Sequence, residues 1–307
     1  MRELIDTASG FLELLRKNPG MNPEELLKLW EEFHRERCPD LFRKQVECYA
    51  AEGFDWREIA RKRVFPELTQ RFPLMEAAAK ALPGVWERVL GQAGETLGFR
   101  EEVLGVMYVG IGCGAGWATE YRGVPAVLFG LEMIAELEWH TLERLEGLCA
   151  HELGHTIHRF WRGEPLEPLE ERPAGLLYTE GFAQRLEELI RGGRSFHQGE
   201  GTGWVERCGE RLPEIAREYL SRLDEGDVRE FFGSWFDFRG IKYAGYFLGY
   251  RFIRHLEARY TLREIASLAR ETLEAEARAF LEAPMTTGTS SDATGRDLGL
   301  EEKGGKA

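Results

Sequence analysis

Residues 142–162, LERLEGLCAHELGHTIHRFWR, combine a helical pattern of apolar residues with two histidines that stand four positions apart. Leu145 and Leu148 precede the histidines at helical spacing, and Gly163 follows as a signal for the end of a helix. Residues four apart lie on one face of a helix. The pentapeptide His151-Glu152-Leu153-Gly154-His155 therefore presents two imidazoles on the same face of a predicted helix.

This H-E-x-x-H pattern predicts a zinc site. Two imidazoles on one helix face can bind a single Zn²⁺ at about 2.0–2.1 Å. Glu152 then lies beside the metal, where it can take a proton from bound water. The alternative for the pentapeptide alone is a pair of surface histidines near a glutamate that forms a salt bridge.

A catalytic zinc needs a third protein ligand and an open position for water. One known arrangement uses a histidine six positions after the second histidine, but Trp161 stands there in this chain. His197 and His255 are further alternatives, although no motif surrounds either of them. Glu180 is the best candidate, because the proline-containing segment after His155 is long enough for a second helix to return to the metal.

Two later motifs carry a resemblance to a known family. Residues 178–183 are YTEGFA and residues 245–250 are GYFLGY. Together with HELGH, they resemble the gluzincin group of zinc peptidases, and within it the predicted zinc-dependent proteases that carry E-G-x-A and G-Y-x-x-G-Y motifs. The resemblance covers roughly residues 104–256. It implies an α+β, mainly helical fold with a thermolysin-like zincin core, in which a small sheet lies beside the H-E-x-x-H helix.

The resemblance also implies roles for individual residues. Zinc would be held by His151, His155 and Glu180, with Glu152 as general base and later proton donor. Gln184, one turn after Glu180, would accept a hydrogen bond from a ligand histidine, which orients the imidazole ring.

A hydrogen-bond donor for the oxyanion is expected from a tyrosine on the later motif. Tyr243, Tyr246 and Tyr250 share one face of a helix predicted between Gly240 and Ala258. The resemblance favours Tyr246, then Tyr250, as the catalytic donor. The alternative is an aromatic stripe that packs in the core.

Three regions follow from the changes in composition along the chain. Residues 1–103 form a predicted N-terminal helical region, with helical segments at 56–64 and 74–97 that prolines interrupt. Residues 104–285 form the predicted catalytic region, with strands at 106–111 and 124–129 before the helices. Residues 286–307 are rich in Gly, Ser, Thr and Lys and predict a disordered tail.

Net charge and hydropathy exclude two classes of partner. The chain has 53 acidic and 40 basic side chains, which gives a formal net charge of −13. Nucleic-acid binding depends on clustered Lys and Arg, so no nucleic-acid partner is expected. The apolar stretches 103–117 and 124–135 are shorter than the roughly 20 residues of a membrane-spanning helix, so no membrane partner is expected either.

The N-terminal residues and the cysteines indicate a cytoplasmic protein. Acidic residues interrupt the N-terminal apolar stretch, so no signal peptide is expected. The five cysteines are scattered and form no C-x-x-C pair, which argues for a reducing compartment.

These observations predict a zinc metallopeptidase that hydrolyses a peptide or protein substrate. One alternative is an inactive zinc-binding or partner-binding helical module, and another is a zinc hydrolase of a non-peptide amide. The sequence assigns no oligomeric state.

Overall fold

The computed structural model describes residues 3–51, 53–224 and 226–284. Within these ranges the chain is mainly helical and carries one small mixed sheet, so the coarse α+β, mainly helical prediction is confirmed. The predicted tail, residues 286–307, lies outside the described residues. Among the described helices, none is long and apolar enough to cross a membrane.

The sheet has four strands in the order β1-β2-β4-β3. Its strands are β1 (Leu4–Asp6), β2 (Leu104–Tyr108), β3 (Gly116–Tyr121) and β4 (Val124–Gly130). β1 and β4 both pair with β2 in parallel, whereas β3 pairs with β4 in the antiparallel direction. The sequence predicted β2 and β4 and missed the other two. β1 has only three residues, and β3 is a half-buried edge strand without apolar alternation.

The helices lie between β1 and β2 and after β4. The first group contains α1 (Ser9–Lys17), α2 (Pro23–Arg37), α3 (Pro39–Ala51), α4 (Trp56–Ile59), a π-helical turn (Ala60–Val64) and α5 (Phe65–Thr96). The second group begins with α6 (Leu131–Glu136), α7 (Leu142–Arg162), α8 (Glu167–Glu170), α9 (Pro173–Arg191), α10 (Trp204–Glu210) and α11 (Leu212–Ser221). It ends with α12 (Arg229–Phe232), α13 (Ala244–Leu256), α14 (Leu262–Ala266) and α15 (Arg270–Glu282).

Helix α5 runs through two prolines that were expected to interrupt it. Pro73 and Pro83 both lie inside this single 32-residue helix. Each internal proline removes a backbone hydrogen bond, at a cost of about 3 kcal/mol or more. The helix nevertheless buries Leu68, Met75 and Trp86, among others, in the main core. Tertiary packing therefore outweighs the local preference to break.

A buried carboxylate fixes the connection between β2 and β3. Glu132, fully buried at the start of α6, accepts hydrogen bonds from the backbone N–H groups of Gly110 at 2.6 Å and Gly112 at 3.1 Å. The side-chain oxygen of Gln45 accepts the intervening N–H of Ile111 at 3.1 Å. This anchoring holds the loop from which β3 starts.

Glu132 is expected to make stability depend on pH. Burial raises the pKa of Glu132 from 4.5 to about 7, although the two backbone hydrogen bonds act to lower it. The folded chain thus holds this proton more tightly than the unfolded chain, and the free energy of unfolding falls as pH rises from 4.5 to about 7. Glu132→Gln should reduce the change between pH 5 and pH 8 by about 2–3 kcal/mol, as measured by urea denaturation with chelator present.

The exposed Glu138→Gln variant serves as the matched control and should follow the wild type. An unchanged pH dependence in Glu132→Gln would show that this carboxyl is ionised in the fold at both pH values.

Candidate metal centre

Helix α7 carries the H-E-x-x-H pentapeptide, as the sequence predicted. The side chain of Thr141 accepts the N–H of Arg144 at the start of the helix, and Gly163 ends it with a φ of 74°. The helix packs against α5, α9, β3 and β4. Its buried face includes Leu145, Leu153 and Ile157, so the packing that stabilises the helix also fixes the direction of its histidines.

Helix α9 carries Glu180 and approaches α7 through small residues. A methyl group added at Gly154 would lie 3.0 Å from the carbonyl oxygen of Ala183. Only a small residue fits such a contact without moving the helices apart. This close approach brings the carboxylate of Glu180 to the two imidazoles of α7.

The three predicted ligands meet at one point. The Nε2 atom of His151 lies 3.1 Å from Oε2 of Glu180, and the Nε2 atom of His155 lies 3.5 Å from the same oxygen. All three ligand atoms lie within 4.8 Å of one another. Ligand atoms around a tetrahedral zinc, each at about 2.0–2.2 Å from the metal, are roughly 3.3–3.5 Å apart. The donor set and its spacing therefore fit a zinc ion.

The charges of these groups are strongly coupled. Burial acts to lower the pKa of His151, but the hydrogen bonds that its ring donates to Glu180 and Glu187 outweigh burial and raise this pKa to about 10. Burial acts to raise the pKa of Glu180, whereas the imidazoles lower it well below its usual range. Glu180 is thus ionised, which is the form that binds a cation. Metal binding would displace protons from the imidazoles.

Glu152 lies between α7 and the edge strand β3. Its Oε2 accepts the backbone N–H of Ala118 at 3.1 Å. A methyl group at Gly116 would lie 2.5 Å from Cγ of Glu152, so the glycine makes room for this side chain. Burial raises the pKa of Glu152, while His155 and His151 lower it. The geometry supplies a half-buried carboxylate that is held beside the candidate ligands without being one of them.

The sequence analysis missed another carboxylate, that of Glu187, which lies beside Nδ1 of His151. Oε2 of Glu187 is 3.5 Å from Nδ1 of His151 and 2.9 Å from Nδ1 of His197. Gln198 also approaches Nδ1 of His151, at 3.4 Å. Glu187 lies seven positions after Glu180, two turns along the same face of α9, and this spacing is the signal that could have identified it.

The role predicted for Gln184 is wrong. Its Nε2 donates to Glu187 at 3.0 Å and to the carbonyl oxygen of Ser195 at 2.7 Å, and no contact joins it to a ligand histidine in the described part of the chain. The carboxylate that faces His151 comes instead from one turn further along α9. Gln184 holds that carboxylate in place.

The structure locates the two alternative third ligands, His197 and His255. His197 belongs to a second candidate group, with His151 and Glu187, whose members are all buried. In this group Glu187 also accepts the backbone N–H of His197 and the hydroxyl of Ser195. His255 is exposed and contacts Arg259 and Phe280, away from the imidazoles of α7.

Glu187 is expected to tune zinc affinity through His151. A carboxylate that accepts the second N–H of a ligand imidazole orients the ring, and its loss typically weakens metal binding 10- to 100-fold. Glu187→Ala should therefore weaken zinc binding by roughly that factor in competition with a chelating dye. The adjacent Glu188→Ala variant is the control, because Glu188 contacts Arg185 and Tyr250 instead. Equal affinities for the two variants would contradict this role.

The two predicted tyrosines have different surroundings. The ring of Tyr246 lies 5.5 Å from that of His151, centroid to centroid, and lines the same cavity. The hydroxyl of Tyr250 donates to Glu188 at 3.0 Å, and Tyr250 is not among the residues that line this cavity. The structure thus brings Tyr246 to the candidate centre and does not bring Tyr250.

Helix α13 presents Tyr246 because it packs closely on α9. A methyl group at Gly181 would lie 2.3 Å from the carbonyl oxygen of Gly249. This contact explains the glycine of the E-G-x-A motif and the second glycine of the G-Y-x-x-G-Y motif. Tyr243 precedes α13 with a φ of 61° and is buried, so the helix starts later than predicted.

A cavity of about 630 Å³ opens on the candidate centre. His151, Glu152, His155 and Glu180 form its inner part, with Tyr246 beside them. The rest of the wall comes from the segment before β2, from β3, from the end of α7 and from α8. The cavity is large enough for several residues of an extended peptide.

Comparisons with protein-family models, with curated proteins and with solved structures find no match to this chain. The resemblance to the gluzincins therefore rests on the three motifs, and the functional argument rests on the geometry of the site.

Proposed function

We propose that the chain is a zinc-dependent peptidase of the gluzincin type, with a thermolysin-like core. One observation carries the proposal: His151, His155 and Glu180, from two helices, converge on one point of a cavity that also exposes Glu152. Two imidazoles, one carboxylate and an open side are the pattern of catalytic zinc sites. The mixed sheet beside α7 supports the thermolysin-like core.

Each residue of the site has a separate role in the proposed reaction. Zinc, when bound by these three ligands, supplies Lewis-acid polarisation of the scissile carbonyl and makes water more acidic. Glu152 takes a proton from the attacking water and returns it to the leaving amine. The burial that raises the pKa of Glu152 moves it toward the working pH of a general base. The hydroxyl of Tyr246 donates to the oxyanion that develops on the carbonyl.

The substrate is expected to bind along β3. This strand pairs with β4 on one side, and residues 116–120 line the cavity. The N–H of Ala118 points toward Glu152. Because the direction of backbone groups alternates along a strand, the N–H and C=O groups of every second residue on this edge face the cavity. An extended peptide can pair with such an edge by strand addition.

Loss of the Tyr246 hydroxyl is expected to affect turnover and leave the metal in place. Tyr246→Phe should lower kcat by roughly 10²-fold or more, because one preformed oxyanion donor is removed. Zinc content should be unchanged, since the hydroxyl is not a ligand. Tyr250→Phe is the matched control from the same helix and should retain the wild-type kcat. Equal kcat values for the two variants would remove Tyr246 from the mechanism.

The proposed function is tested by metal analysis together with peptide digestion. The purified chain should bind about one zinc per molecule and cleave members of a mixed peptide library. Chelation should abolish cleavage, and added zinc should restore it. Bound zinc without cleavage of any peptide would favour an inactive module or a hydrolase of non-peptide amides, and a screen of acylated amines would separate these two.

A further inference from the structure

The wall of the cavity is strongly acidic outside the candidate metal centre. Six glutamates and one arginine line it, apart from the site residues already described. The glutamates are Glu101, Glu102, Glu120, Glu164, Glu167 and Glu170, and the arginine is Arg159. They come from the segment before β2, from β3 and from residues 164–170, which include α8.

The single arginine is already engaged. Arg159 forms ion pairs with Glu120 of β3 at 3.1 Å and with Glu167 of α8 at 3.2 Å. Glu164 pairs with Arg162 at 3.6 Å. These ion pairs engage three of the six glutamates, Glu120, Glu164 and Glu167.

Among the six glutamates, Glu170 is the best candidate for binding a substrate. It is half-buried at the end of α8 and lines the same cavity as His155 and Glu180. No arginine or lysine forms an ion pair with it in the described ranges. A carboxylate that is partly withdrawn from water and has no arginine or lysine partner favours a positively charged ligand.

An exposed aromatic ring lies in the same acidic cavity. Phe160 is 52% exposed, and its ring meets that of Phe99 edge-on at 5.9 Å. A lysine side chain has a long apolar stem and a charged end, and an arginine side chain stacks on aromatic rings. The ring of Phe160 can contact the apolar stem of such a side chain, and the carboxylates that line the cavity can attract its charged end.

We propose that this cavity selects peptides with a positively charged nitrogen beside the scissile bond, and that Glu170 binds that nitrogen. The inference rests on the proposed peptidase function and names its substrate class. The shared chemistry is a cationic nitrogen. It can come from a lysine or arginine side chain or from the α-amino group of the substrate, and the experiment separates these sources.

The first test compares matched peptides with the zinc-loaded protein. One cleavable sequence is made with Lys, norleucine or Glu at each position around the cleaved bond, and each peptide is made with a free and an acetylated N-terminus. Lys at one position should raise kcat/KM roughly 10- to 100-fold over norleucine, the range expected for a hydrogen bond to a charged group. If lysine and norleucine peptides react equally and acetylation of the N-terminus lowers kcat/KM for both, the α-amino group is the recognised cation. Equal rates for all peptides would overturn the proposal.

The second test assigns the preference to Glu170. Glu170→Gln should reduce the kcat/KM ratio of the lysine to the norleucine peptide by about tenfold or more, because the neutral amide keeps the shape and loses the charge. Glu171→Gln, on the exposed neighbour outside the cavity wall, should leave the ratio unchanged. An unchanged ratio in Glu170→Gln would contradict the assignment.

A binding measurement distinguishes failure of this inference from failure of the proposed function. Fluorescent lysine and norleucine peptides are titrated into zinc-loaded Glu152→Gln protein and into its Glu170→Gln double variant. Tighter binding of the lysine peptide that the double variant loses would support the inference even if the wild type cleaves no peptide. Equal binding of both peptides and of their N-acetylated forms, together with cleavage by the wild type, would overturn the inference and leave the peptidase function standing.

Discussion

Glu152→Gln is expected to lower kcat by roughly 10²–10⁴-fold while the bound zinc remains, since a positioned general base contributes about that much to catalysis. Gln keeps the size of the side chain, and its carbonyl oxygen can still accept the N–H of Ala118. It cannot take a proton from water at neutral pH. The measurement is kcat on the best library peptide, with zinc determined on the same preparation.

The control for this variant comes from the same helix. Glu143→Gln replaces an exposed glutamate in the first turn of α7 and should keep the wild-type kcat. Residual cleavage that is equal in Glu152→Gln and wild type would identify a contaminating protease. A variant that retains zinc and more than about a tenth of the wild-type kcat would show that Glu152 is not the general base.

The convergence of the candidate ligands could be predicted because the geometry of this group is mostly local. His151 and His155 face the same direction wherever residues 142–162 form a helix. The position of Glu180 depends on a second helix, yet the E-G-x-A pattern indicates a close helix contact, and the structure has that contact at Gly154 and Ala183. The three ligand atoms accordingly meet within 4.8 Å.

The hydrogen-bonded partners of these ligands could not be predicted in the same way. His197 and Gln198 lie in the irregular segment after α9, and no periodic pattern gives their direction. The spacing of Glu187 from Glu180 could have identified it as the acceptor for a ligand histidine. Gln184 occupies the same helix face one turn earlier, and the resemblance points to Gln184 instead. The choice between them depends on how residues 195–198 fold back, which is a tertiary contact.

The uninterrupted helix α5 and strand β1 could not be predicted, because contacts between distant residues stabilise them. Local propensity predicted breaks at Pro73 and Pro83, but burial of one face of α5 outweighs them. Strand β1 has too few residues to show a pattern and forms because β2 offers a parallel edge. In each case the favourable term comes from residues far away in the chain.

Loss of the carboxylate ligand is expected to abolish both metal binding and turnover. Glu180→Ala leaves two members, His151 and His155, of the candidate ligand group that the described residues form here. We expect zinc affinity to fall by more than about 100-fold, beyond the range seen when a hydrogen-bond partner of a ligand is removed. Cleavage should become undetectable. In the wild type, free zinc at about 100 Kd should stabilise the fold by about 2.7 kcal/mol, and the variant should lose this stabilisation at the same concentration.

The same variant decides between the two groups that share His151. If zinc bound to His151, Glu187 and His197, Glu180→Ala would keep its zinc and His197→Ala would lose it. The opposite result is expected, because Glu187 already accepts bonds from Ser195 and from His197 at both of its oxygens. Neither Glu187 nor His197 lines the cavity, so a metal there would not reach a substrate in it. Retention of one zinc by Glu180→Ala would therefore contradict the proposed ligand set and the mechanism built on it.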